Sequence, residues 1–200
     1  MGPVMPSAEH IAESSVFRAA LRREKLAQRA ALNAGQHELL GGKAVSHLSA
    51  LLAPRPAQTI AFCAPIRGEI DLSRLIVELI ERGWQAAMPV VETPNAPMVF
   101  RPWHAGIAMA RDQHGIPIPA ATEPHSNAHP DIVLLPLVAF DAHGYRLGYG
   151  GGYFDRTLAS MVPRPLAIGV GYELCRTEST RPQPHDVALD LMVTEAGVFY

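Results

Sequence analysis

The chain has 200 residues, 48% of them apolar and 18% charged, which suits one well-cored globular domain. A formal net charge of −2 with an isoelectric point near 6.5 lacks the basic excess that a general nucleic-acid or membrane-surface binder needs. Two cysteines, Cys63 and Cys175, cannot form a disulfide framework, and no stretch of about 18 apolar residues could span a membrane. Because MGPVMPSAEH also lacks the cations and apolar core of a secretion signal, a cytoplasmic protein is expected, with both cysteines as packing residues.

A single domain over residues 1–200 is expected, with 1–14 as a flexible N-terminal extension. A helical pattern runs from Glu9 to Leu52, broken near Asn33-Ala34-Gly35, with Asn33 as a cap and Pro54 ending the second helix. Arg18, Arg22, Lys25 and Arg29 stand at i, i+4, i+7 and i+11 and form a basic stripe, which on charge patterning alone reads as a solvated face. Thr59–Cys63 reads as a strand, Ala64–Ile70 as a loop, and a helix capped by Asp71 or Ser73 runs to Arg82 before Gly83. Gln85–Val91 is the next strand, so the order is that of a parallel sheet with crossover helices. Ligands in such sheets bind beyond the C-terminal strand ends, which makes Ala64–Ile70 a candidate site wall. Within it, Glu69 reads on physical grounds as a charge at a helix N-terminus.

Met98–Trp103 is expected as an edge strand, since Pro102 is better tolerated there, with Phe100 and Trp103 in the core. In TEPHSNAHP, His125 and His129 have a spacing that a helical metal pair could use, but Pro124 and Pro130 oppose a helix, so a polar surface loop is expected.

The most informative stretch follows. Ile132, Val133, Leu134 and Leu135 suit a strand buried on both faces, ended by Pro136. A loop containing Gly144, Gly148, Gly150, Gly151 and Gly152 comes next, and Phe154, Leu158 and Met161 then recur at helical spacing. Glycines admit a ligand's oxygens close to backbone N–H groups, and a helix N-terminus adds partial positive charge, so the geometry suits phosphate. Arg146 can add a charge-assisted contact, and Asp155 beside the phosphates can hold a divalent metal. Neither GxxxxGK[ST] nor GxGxxG is present at the required spacing.

The segment FDAHGYRLGYGGGYFDRTL resembles the signature of the 5-formyltetrahydrofolate cyclo-ligase family, FDxxGxRLGxGGGYYDRxL, with Phe154 in place of the second Tyr. The resemblance extends loosely from the first helix to DLMVTE. It implies a Rossmann-like three-layer α/β fold of the cyclo-ligase and CoA-transferase kind, with a mostly parallel central sheet flanked by helices. It also implies ATP-dependent conversion of 5-formyltetrahydrofolate to 5,10-methenyltetrahydrofolate, with ATP as co-substrate and Mg2+ as cofactor.

The resemblance assigns residues as well. ATP contacts fall to Arg18 and Arg22 of Arg18-Ala-Ala-Leu21-Arg22, where the family's motif is Lys-x-x-Leu-Arg, and to Arg146, Leu147, Gly148, Tyr149, Gly150, Gly151, Gly152, Tyr153 and Phe154. Folate contacts fall to Glu69 and Ala64 and to Tyr149, Gly150, Gly151, Gly152 and Tyr153, while Arg146 and Tyr153 are the catalytic candidates. Asp155 and Asp190, the latter in an HDVxxD-like element, are implied as metal ligands. His185 of that element is expected to be structural, and Ile118 stands where the family's GIxEP element has an acid. Partners are expected to be small molecules only: no nucleic acid, no membrane, no obligate protein. Leu166–Gly171, Leu191–Thr194 and Val198–Tyr200 are expected as the last strands.

Two other readings use the same residues. A sugar-phosphate or acyl-CoA enzyme on a related scaffold would need a catalytic carboxylate or lysine aimed at substrate carbon, and none can be assigned. A non-catalytic folate or nucleotide binder is motivated by Arg18 and Ile118, and opposed by the presence of Arg146, Asp155, Asp190 and the glycine run.

Overall fold

The computed structural model describes residues 8–120 and 127–199. Helix α1 (Ala8–Ala30) and α2 (Ala34–Leu52) open the chain, and the break between them is set by Asn33. Its side chain accepts from the Gln36 N–H while the Gln36 side chain accepts from the Asn33 N–H, a reciprocal capping box. Helix α1 begins at Ala8, inside the segment 1–14 expected as an N-terminal extension; residues 1–7 lie outside the described part.

Then follow β1 (Thr59–Ala61), α3 (Ser73–Glu81), β2 (Gln85–Val90) and β3 (Val99–Trp103). A small hairpin of β4 (Met109–Arg111) and β5 (Pro117–Pro119) precedes β6 (Ile132–Pro136). A second hairpin, β7 (Ala139–Phe140) and β8 (Arg146–Leu147), leads into α4 (Tyr153–Ser160). The chain ends with β9 (Leu166–Val170), β10 (Leu191–Thr194) and β11 (Gly197–Phe199).

Seven strands form one sheet in the order β11-β10-β9-β6-β1-β2-β3. The five central strands are mutually parallel, and β3 and β11 close the two edges antiparallel. β6 ends at Pro136 as expected, with Pro136 its last paired residue, opposite Val170.

Alternation along the strands sorts the core. Ile132 and Leu134 face Leu48, Leu52, Leu75 and Leu79 of α2 and α3, whereas Val133 and Leu135 face Leu158 of α4. Helices on both faces of a mainly parallel sheet give the expected three-layer fold. The chain departs from β1 to β2 on one side and returns to β6 on the other, so a switch point lies between β1 and β6. A crevice opens beyond the C-terminal ends of such neighbours.

Candidate active site

A cleft of about 740 Å³ occupies that crevice, bounded by the loop after β1 and the glycine loop that follows β8. Thirteen of the fifteen sequence-assigned residues border it: Arg18, Arg22, Ala64, Glu69, Arg146, the run Gly148–Phe154 and Asp155. The two that do not are Leu147 and Asp190. Leu147 is fully buried and packs with Leu21 and Ala139, so its side chain anchors β8 beneath α1 instead of meeting a nucleotide.

Asp190 is a correction to the expected metal pair. Its two oxygens accept from Arg164 Nη1 at 2.7 and 2.9 Å, and the Ala167 N–H holds one of them at 2.7 Å. That carboxylate pins the start of β9 and does not border the cleft that Asp155 borders. Asp155 fits a metal better. It accepts from Arg146 Nη1 at 3.2 Å and from the Val187 N–H at 3.0 Å, both at Oδ1, so Oδ2 has no protein partner among the described residues. Mg2+ commonly takes one carboxylate and completes its shell with phosphate oxygens and water, and the described residues contain no cluster of three metal-ligating side chains.

The basic stripe of α1 is turned inward, because each cation finds a partner from a distant part of the chain. Arg18 makes a fork with Asp186, one arm at 3.2 Å, and also donates to the Arg181 carbonyl. Arg22 Nε donates to the Gly148 carbonyl at 2.7 Å, and Lys25 Nζ to that of Leu174 at 2.8 Å. Arg29 is only 2% exposed and donates to the carbonyls of Arg67 and Leu137 and to the Tyr149 hydroxyl. The stripe is therefore a seam that joins α1 to the glycine loop and the C-terminal segment.

Burial, the largest single influence, would raise the Asp186 carboxyl, but the hydrogen bonds from Arg18 and the Gln183 N–H together with the charge of Arg18 outweigh it and hold the group below the ordinary carboxylate range. Burial lowers the Arg146 guanidinium from its usual range while Asp155 pushes it back up; an arginine remains a cation throughout. Arg18 and Arg146 each face a carboxylate and Arg22 a carbonyl, so an anion entering the cleft would meet oriented cations in a partly desolvated wall.

Local backbone geometry places the loop. Gly150 and Gly152 have φ of 103° and 64°, in the region where an L side chain is strained. Gly152 precedes α4, whose first turn carries Asp155. Tyr149 projects from the loop, and its hydroxyl donates to Glu69 Oε1 at 2.6 Å. Burial raises the Glu69 carboxyl, opposed by the Tyr149 hydrogen bond; burial and Glu69 together raise the Tyr149 phenol, which stays protonated and donates.

Three contributors were not assigned from the sequence. Asp186 lay within the HDVxxD-like element without a role; its three-residue spacing behind Gln183, whose N–H it accepts at 2.8 Å, is a local turn signal. Arg29 had been placed in the stripe without a partner. Asp141, the acid of the signature's FD pair, is 2% exposed and takes N–H groups of His143 and Tyr145 on one oxygen and the N–H and hydroxyl of Thr180 on the other. It shapes the β7–β8 turn and ties it to the C-terminal segment. Ile118 and Ile116 give the β4–β5 hairpin an apolar face on the cleft; the acid that the hairpin does bring to its border is Asp112, whose Oδ1 accepts from the N–H groups of His114 and Ile116 within the turn. His185 is exposed, with Nε2 3.8 Å from Asp186, and His125 lies outside the described residues. Cys63 borders the cleft, and its thiol is held protonated by burial.

The 5-formyltetrahydrofolate cyclo-ligase family model matches residues 14–195. The 5-formyltetrahydrofolate cyclo-ligase of Haemophilus influenzae is 31% identical over 180 residues, covering 86% of this chain and 95% of that protein. That of Mycoplasma pneumoniae is 28% identical over 177 residues, covering 88% and 97%. Among solved structures, the 5,10-methenyltetrahydrofolate synthetase of Aquifex aeolicus superposes with a TM-score of 0.78 at 30% identity, covering 92% of each chain. The Mycoplasma pneumoniae synthetase gives 0.71 at 28% identity, covering 89% of this chain and 98% of that one. Matched over nearly all its length in sequence and in fold, the chain belongs to the 5-formyltetrahydrofolate cyclo-ligase family.

Proposed function

We propose that the protein converts 5-formyltetrahydrofolate to 5,10-methenyltetrahydrofolate at the expense of ATP, releasing ADP and phosphate. The observation that carries this reading is the cleft itself, in a chain of this family: a glycine loop with Arg146 and Asp155 on one side, Glu69 and an apolar hairpin face on the other. The formyl group on N5 is an amide, whose oxygen does not leave unaided. Its oxygen attacks the γ-phosphorus and ADP departs; N10 then attacks the activated carbon, loses its proton, and phosphate leaves with the former formyl oxygen.

Positioning and charge neutralisation supply most of what such a transfer needs. Arg146, with Arg18 and Arg22 behind it, and the N–H groups of Gly148–Gly152 would receive the triphosphate. Magnesium, held by Asp155 with phosphate oxygens and water, would neutralise charge on the β- and γ-phosphates. Glu69 would hold the folate, Ala64 would line its pocket, and Tyr153 with Phe154 would wall the junction where the formyl oxygen meets the phosphorus. No side chain needs to act as a strong base, because the N10 proton becomes acidic once N10 has attacked.

Absorbance of the methenyl product tests the reading: protein, 5-formyltetrahydrofolate, ATP and Mg2+ together should generate the chromophore, and omission of ATP or metal should abolish it. Folate binding without turnover would instead favour a non-catalytic binder.

A further inference from the structure

Arg29 stands behind the cleft and does not border it, yet its guanidinium reaches three segments. Nε donates to the Arg67 carbonyl at 3.0 Å, Nη1 to the Leu137 carbonyl at 3.1 Å and Nη2 to the Tyr149 hydroxyl at 2.7 Å. The first two bonds would suffice to tie α1 to the loop after β1 and to the end of β6. The third goes to a phenol in the glycine loop, and that phenol passes the contact on to Glu69 Oε1 at 2.6 Å. Glu69 Oε2 accepts from the Ile66 N–H at 3.0 Å, so both carboxylate oxygens are held. The nearest anion to the buried Arg29 charge is Glu69 itself, at 4.0 Å, and a buried cation is tolerated only where it is compensated.

We propose that Arg29 is a positioning residue for both substrates: through the Tyr149 hydroxyl it fixes the Glu69 carboxylate and the glycine loop relative to each other. The inference rests on the reading that Glu69 meets folate and the glycine loop meets ATP. It explains why a tyrosine with an exposed ring carries a hydroxyl engaged on both sides, as donor to Glu69 and acceptor from Arg29. Removing Arg29 then loosens two subsites from behind, although Arg29 itself does not border the cleft.

The charge on Glu69 gives a second consequence. Groups facing it are Arg29 from α1, Arg67 on its own loop, Tyr149 from the glycine loop and Cys63 after β1, with His37 of α2 packed on neighbouring Gly68. Burial raises the Glu69 carboxyl, and the Tyr149 hydrogen bond, the Ile66 N–H, Arg29 and Arg67 pull it down. Loss of Arg29 therefore raises it further, and folate binding that needs the carboxylate fails at a higher pH than in the wild type.

The test compares equilibrium binding of 5-formyltetrahydrofolate across pH, and the KM for each substrate, in wild type, Arg29→Gln, Tyr149→Phe and the double variant. Expected are a rise of about tenfold in folate KM for each single variant, as for loss of a hydrogen bond to a charged group. The ATP KM should rise with it, the acid limb of folate binding should move to higher pH, and the double variant should be no worse than the poorer single one. Additive losses, or an Arg29→Gln protein of lowered Tm with wild-type KM values and pH limb, would overturn the proposal and leave Arg29 as a structural tie. If Arg29→Gln does not fold, Tyr149→Phe decides, since it keeps both carbonyl bonds of Arg29: an unmoved pH limb and folate KM reject the proposal. A wild type that binds folate but forms no methenyl product would refute the reaction, while the binding comparison still decides Arg29.

Discussion

At the scale of residues, the proposed site separates groups that would meet phosphate from groups that hold those groups in place. Asp155 would do both, since Oδ1 holds Arg146 and the Val187 N–H while Oδ2, without a protein partner among the described residues, is the oxygen proposed for the metal. Asp155→Asn keeps an acceptor of the same shape and removes the charge, so folding should be retained while kcat falls by on the order of 100-fold, the scale of a lost electrostatic contribution at a reacting phosphate. Steady-state turnover over a magnesium series, with circular dichroism as the folding control, checks this; undiminished kcat would remove Asp155 from the metal role. Arg22 is a different case, because its Nε holds the Gly148 carbonyl and thereby the start of the glycine loop. Arg22→Ala should raise the KM for ATP by about tenfold and that for folate much less, whereas equal rises would mark a general effect on the loop.

At the scale of elements, the decisive piece is the β7–β8 hairpin, inserted between the buried strand β6 and the glycine loop. Its turn is built on Asp141, whose four hydrogen bonds are all internal. Asp141→Ala strands the N–H and hydroxyl of Thr180 in a buried place and should cost about 3 kcal/mol of stability, read as a lowered Tm. Gly144 closes the same turn at φ 82°, and a Cβ there would sit 2.8 Å from the Leu189 carbonyl oxygen. Gly144→Ala should therefore cost about 2 kcal/mol, and a Tm equal to wild type would show that the turn relaxes freely.

The same hairpin shows what the sequence could and could not disclose. Ile132–Leu135 and the helical spacing after Gly152 made strand, loop and helix readable, because burial leaves a period in the chain. Two-residue strands such as Ala139–Phe140 are too short to show one. The direction of the α1 stripe was equally hidden: its partners include the carbonyls of Gly148 and Leu174, and any residue type can supply a carbonyl. Asp155 and Asp190 look alike as acids near the end of a motif, and only the fold shows that Arg164 occupies the second.

For the whole molecule, topology does the assembling. Five parallel strands turn one end of the sheet into a rim of loops, and the divergence of the chain on either side of β1 leaves room between the loop after β1 and the glycine loop. One ligand wall belongs to each loop, and α1 crosses behind both, so two substrates can meet over one strand end. The central claim of the proposed function is that the formyl oxygen is the nucleophile toward the γ-phosphorus. It is tested most directly by supplying 5-formyltetrahydrofolate labelled with 18O in the formyl group, together with ATP and Mg2+, and measuring the isotope in the phosphate released. The account predicts one labelled oxygen in each phosphate formed per methenyl product; label recovered in water, with unlabelled phosphate, would contradict it.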